Sequence, residues 1–165
     1  AYIPNNVAVL AGGGAPIDGG RNWRGARLLG DGKTWRGTAV GISAGVLLAW
    51  VLNAIQAPAA ALIGVPVPSF SLGAMLALPT GALLGDITAS FLKRRTGRER
   101  GSAFPLVDQL DFLVVSLALT VLVDPAWFFA VFTLPVLAVV VVLTPVLHLL
   151  TNAIAYWLGL KNEPW

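Results

Sequence analysis

The sequence predicts an all-α, polytopic integral membrane protein with about five transmembrane helices and basic loops on one side. Three observations carry this. Only 12% of the 165 residues are charged and the mean hydropathy is +0.77, whereas a soluble domain is about a quarter charged. Apolar runs of spanning length recur, a helix needing roughly 20 such residues to cross a bilayer. The eleven lysines and arginines fall in three clusters separated by those runs.

The elements follow in order. Residues 1–12 are apolar but short, the end of a spanning helix or an interfacial one. Residues 13–37 are glycine-rich and basic, hence a loop. Residues 38–57 form the first full-length span, interrupted only by Asn53. Residues 57–69 are a proline-rich turn region. Residues 69–92 form the next span, with Pro79 and Asp86 inside and Lys93-Arg94-Arg95 at its end. A second basic loop precedes a span over 106–123, which opens with Asp108 and Asp111. After Asp124-Pro125, residues 126–160 form one apolar run, expected as a single long tilted helix with Pro135 and Pro145 as candidate kinks. No internal repeat or low-complexity linker divides the chain, so 1–165 reads as one membrane-embedded domain.

With that helix count, the clusters Arg21/Arg24/Arg27/Lys33/Arg36, Lys93/Arg94/Arg95/Arg98/Arg100 and Lys161 all fall on one side. The positive-inside rule makes that side cytoplasmic. The expected location is therefore the cell membrane, with the basic face toward the cytoplasm. The lack of cysteine excludes disulfides and thiolate metal sites, and the single histidine excludes a multi-histidine zinc site. His148 reads as a structural polar group paired with Asn152 at i+4.

Ionisable groups inside a span are costly and usually functional. Asp86, Ser90, Lys93 and Arg94 share one helix face by spacing, and Asp108 and Asp111 share a face of the next helix. Carboxylates suit a hard divalent cation. Lysine, arginine and backbone amides suit phosphate. Together they point to Mg²⁺ with a polyphosphate, the metal on Asp86, Asp108 and Asp111. Gly30-Asp31-Gly32-Lys33-Thr34, followed by Arg36, supplies glycines and cations for phosphate ahead of a helix. It is not a Walker loop: Arg27 stands where that pattern needs glycine, and no strand precedes it. Nor does it fit the D-G-x-x-A-R pattern of phosphotransferases that consume CDP-lipids, because Trp35 replaces the alanine and the downstream acids are absent.

Ser90-Phe91-Leu92-Lys93-Arg94 followed by Asp108-Gln109-Leu110-Asp111 resembles the signature of the phosphatidate cytidylyltransferase family. The segment Gly12–Asp18, the run Gly30–Gly37 and the terminal LTNAIAYWLGLKNEPW resemble its archaeal branch over nearly the full length. The histidine of the bacterial signature is missing, residues 102–105 reading Ser-Ala-Phe-Pro. The resemblance implies a membrane nucleotidyltransferase of phospholipid biosynthesis. Its partners would be CTP and an isoprenoid ether-lipid phosphate, its product CDP-archaeol, and its cofactor Mg²⁺. Asp86, Lys93, Asp108 and Asp111 would be catalytic. Gly30, Asp31, Gly32, Lys33, Thr34, Arg36, Ser90, Lys93 and Arg94 would bind nucleotide or phosphate. The competing class is a small transporter or channel. It calls for acids near the bilayer midplane, and here they gather toward the basic side.

Overall fold

The computed structural model describes residues 1–97, 107–157 and 159. Arg98, Arg100 and Lys161, assigned above to the basic face, lie outside the described residues, as do Ser102–Pro105. The order is α1 (Tyr2–Leu10), a two-stranded hairpin of β1 (Asn22–Trp23) and β2 (Ala26–Arg27), α2 (Trp35–Ile63), α3 (Leu72–Arg95), α4 (Val107–Val123), α5 (Pro125–Val131) and α6 (Leu134–Trp157). Among the described residues three helices are long and apolar enough to cross a membrane: α2, α3 and the 134–154 portion of α6. The other two expected spans appear as the nine residues of α1 and the seventeen of α4.

α3 is the central helix. Of its most apolar stretch 44% is buried, against 6% for α2 and α6, whose side chains mostly face outward. Lipid is as apolar as leucine, so bundle helices associate through close backbone approach at small residues. The tight crossings here use glycines four apart. Added Cβ atoms at Gly37 and Gly41 would meet the carbonyls of Ala8 and Pro4 on α1, and one at Gly45 would strike Pro79. On α3, a Cβ at Gly81 would lie 2.5 Å from the Ser116 Cα, and one at Gly85 would overlap the Asp111 carbonyl. α4 therefore lies directly on α3, and the residues following Gly85 face its first turn.

Two expectations are corrected. α2 does not stop at the proline-rich stretch: it runs through Pro58 to Ile63 and ends on Gly64, whose φ of 69° makes the left-handed cap. The apolar run from residue 126 is not one helix. α5 ends at Phe132, and α6 restarts at Leu134 with Pro135 in its first turn. Pro135 has no N–H for the carbonyl four residues back and its ring crowds that carbonyl, which favours a break there, although Pro58, Pro79 and Pro145 are carried inside helices. Pro145, the other candidate, lies inside an unbroken α6. Asp124 caps α5 through the Trp127 amide and accepts from Ser71 Oγ at 2.5 Å, joining the starts of α3 and α5. The His148–Asn152 pair is present, with Nδ2 of Asn152 3.3 Å from Nδ1 of His148.

Candidate active site

The site is built where the 12–34 segment, the end of α3 and the start of α4 meet. Thr34 starts α2: its backbone is extended and its buried hydroxyl accepts from the Gly37 amide, an ordinary N-cap. The segment returns to the same place, with Ile17 donating to the Lys33 carbonyl and Trp35 to that of Ala15. Lys33 is thus delivered at the base of the loop, against α3. Its ammonium pairs with Asp86. About two turns further along α3, Lys93 pairs with Asp108 of α4 at 2.7 Å. All four side chains are half-buried, 21–31% exposed. Asp111 accepts from the Phe112 amide at 2.5 Å and lies within electrostatic reach of Asp86, Asp108 and Lys33.

The structure therefore brings together Asp86, Asp108, Asp111, Lys33 and Lys93. Arg94 joins them from the same face, its guanidinium 3.5 Å from where a Gly30 Cβ would stand. Gly30 has φ +96°, so any side chain there would be strained. Ser90 is half-buried one turn beyond Asp86. Other members of the predicted set have local partners. Asp31 pairs with Arg27 at 2.6 Å. Arg36 donates to the carbonyls of Ala11 and Gly12, satisfying the C-terminal end of α1. Gly32 is exposed beside Lys33.

Sequence reasoning assigned no role to Asp18, Arg27 or Arg95. Asp18 is buried and accepts from the amides of Gly20, Leu29 and Gly30 and from Arg27. The Arg27 guanidinium, ahead of those amides, holds its carboxyl well below the usual carboxylate range. Asp18 raises the Arg27 guanidinium in turn. The local signal was Asp-Gly-Gly, an Asx-turn sequence in which the carboxylate accepts from the amide two residues on. Arg95 donates to the carbonyls of Trp23, Ala26 and Arg27, with its guanidinium 5.1 Å from the Trp23 ring, which stacks on Phe91. The hairpin is thereby pinned to α3, and the described members of the first two basic clusters stand at one end of the bundle. Under the hairpin, Ile17, Asp18, Gly19, Arg21, Leu28, Leu29 and Phe91 line a cavity of about 550 Å³.

This arrangement puts cations and carboxylates where a membrane helix meets a folded polar loop. The whole chain, residues 1–165, matches the family model described as CarS-like, CDP-archaeol synthase. The chain belongs to the CDP-archaeol synthase family. A CDP-archaeol synthase of Halorubrum lacusprofundi is 68% identical over all of this chain and 92% of its own length. One from Methanosarcina mazei is 46% identical over all of this chain and 98% of its own. A solved structure described as an intramembrane enzyme for archaeal membrane lipid biosynthesis superposes with a TM-score of 0.72. It is 35% identical, covering 92% of this chain and 87% of that one. Kinship with CDP-archaeol synthases makes this an enzyme fold of the membrane, and the transporter reading has no support.

Proposed function

We propose that this chain transfers the cytidylyl group of CTP to 2,3-di-O-geranylgeranylglyceryl phosphate, giving CDP-archaeol and pyrophosphate. One observation carries the reading: two lysine–carboxylate pairs and Asp111 converge at the end of a lipid-facing bundle, in a member of this family. A lipid-phosphate oxygen attacks the α-phosphorus of CTP. The new P–O bond forms as the bond to the β-phosphate oxygen breaks, and the electron pair leaves with pyrophosphate. Two anions must meet, so cations have to offset their repulsion and the charge growing on the leaving group. Lys33, Lys93 and Arg94 serve there. The attacking oxygen is already an anion at neutral pH, so no general base is needed.

Mg²⁺ fits this donor set. Among the described residues no three His, Asp or Glu side chains form a ready cage. Mg²⁺ is usually held by one or two carboxylates together with substrate phosphates, not by an all-protein cage. Asp86, Asp108 and Asp111 are the residues from which those one or two carboxylates would come. When bound, the ion supplies Lewis-acid stabilisation of phosphoryl oxygens. The isoprenoid chains stay in the bilayer while the head group meets CTP at the basic end, which the positive-inside rule places on the cytoplasmic side.

The test is product analysis by mass spectrometry. Purified protein receives Mg²⁺, the geranylgeranyl ether-lipid phosphate and each of the four NTPs in turn. A CDP-lipid formed with CTP, and lost on chelation, is the expected result. No nucleotide-linked lipid with any NTP from folded protein would overturn the assignment.

A further inference from the structure

The hydrogen bonds of the Asp18 side chain all go to its own segment, yet the contacts that the 12–34 segment makes with α3 depend on it. Its side chain is 1% exposed. Oδ1 accepts from the Gly20 amide at 3.0 Å and an Arg27 terminal nitrogen at 2.8 Å. Oδ2 accepts from the amides of Leu29 and Gly30 at 3.0 and 3.1 Å and from Arg27 Nε at 3.3 Å. One carboxylate thus joins three separate stretches of the segment. Both of its oxygens are engaged and its charge is met by Arg27, so it has no lone pair in a position to serve a metal or substrate.

The hub controls two points of contact with α3. Gly30, held by Asp18 through its amide, is the residue beside the Arg94 guanidinium. Ile17, the residue before Asp18, holds the Lys33 carbonyl at 2.8 Å, and the Lys33 amide reaches back to the Gly30 carbonyl. Lys33 then meets Asp86. Without the hub, a stretch rich in glycine has little to fix it, since glycine loses more conformational freedom on ordering than any other residue. Pre-organised donors bind phosphate tightly because the ordering cost is met in advance.

We infer that Asp18 is a positioning residue that fixes Lys33 and the Gly30 backbone over the end of α3, and thereby sets the affinity for the triphosphate of CTP. The inference rests on the cytidylyltransferase reading. It differs from a merely structural role in its kinetic signature. Asp18 lies outside the membrane bundle, so its loss weakens CTP capture and leaves the lipid-facing helices in place.

Steady-state kinetics of full-length wild type, Asp18→Asn and Arg27→Met in detergent tests this, with helical content measured by circular dichroism. Asp18→Asn keeps the shape but turns an amide donor toward N–H donors. It should raise KM for CTP at least tenfold, hold kcat at saturating CTP within threefold, and leave KM for the lipid phosphate within twofold. Arg27→Met leaves the three backbone partners of Asp18 intact and should raise KM for CTP about threefold. If Asp18→Asn lacks wild-type helical content, Arg27→Met alone decides. A KM for CTP within twofold of wild type in the deciding variant, whatever its kcat, overturns the inference while leaving the function standing. Wild type that forms no CDP-lipid overturns both.

Discussion

Lys33 and Asp86, 53 residues apart in sequence, form an ion pair that closes the glycine-rich segment onto the central helix. Lys93 and Asp108 repeat the relationship between α3 and α4. In each pair the group suited to phosphate is bound to the group suited to a cation. An incoming triphosphate competes for the lysines, and an incoming divalent cation competes for the carboxylates. Each partner frees what the other needs, so their binding is linked, and linkage is reciprocal. Mn²⁺ affinity measured by electron paramagnetic resonance should rise at least tenfold when CTP is present. Lys33→Ala should tighten Mn²⁺ binding without nucleotide and weaken CTP binding. Mn²⁺ affinity that ignores both CTP and this substitution would refute the exchange.

Charge removal at Asp86 and at Lys93 should be felt mainly in turnover, whereas Lys33 acts in CTP capture. Lone groups that stabilise developing charge are worth about a hundredfold to a thousandfold in kcat. Asp86→Asn and Lys93→Ala should each lose at least about a hundredfold while keeping wild-type helical content. Near-wild-type rates in Asp86→Asn would remove that residue from the site.

How much of this was legible beforehand depends on the range of the signal. Asp86 stood out because a carboxylate within an apolar run is costly, and its face with Lys93 and Arg94 followed from helical spacing. The helix interface itself was not legible. Gly81 and Gly85 look like any small residues in an apolar run until α4 is laid against them. The Asp18 hub was equally hidden, because its partners at residues 27, 29 and 30 come near only when the loop closes. Arg36 reads in sequence as one more cation of the Gly30–Gly37 run, and only the fold shows its guanidinium on the carbonyls of Ala11 and Gly12. The break before α6 escaped hydropathy because Phe132 and Leu134 are as apolar as their neighbours, although Pro135 marked the place.

Gly85 makes the helix interface testable. Its Cα faces the Asp111 backbone so closely that a methyl group cannot fit without moving α4. Overpacking of this kind costs about 1–3 kcal/mol. Gly85→Ala should lower the thermal midpoint and also reduce kcat, because the displaced backbone carries Asp111. Gly81→Ala, one turn further from the acids, should cost similar stability with a smaller loss of rate. Equal rate losses at equal stability would show that the position of Asp111 is not critical.

The pH response of the loop follows from Asp18. Arg27 and three amides favour its charged form and hold its carboxyl well below the usual carboxylate range. A free aspartate titrates near about 3.9. A carboxylate with a depressed folded-state value contributes stability that is complete above that unfolded value and is lost as pH falls through the folded one. Order in the segment should therefore be constant from neutral pH down to about 4 and decline only in stronger acid. Hydrogen exchange at the amides of Gly20, Leu29 and Gly30, corrected for intrinsic rates, reads this directly. Asp18→Asn should show weak protection with no acid transition. Protection in wild type that titrates near neutral pH would mean that a different group orders the loop. The carboxylate hub would then not be what holds Lys33 over α3.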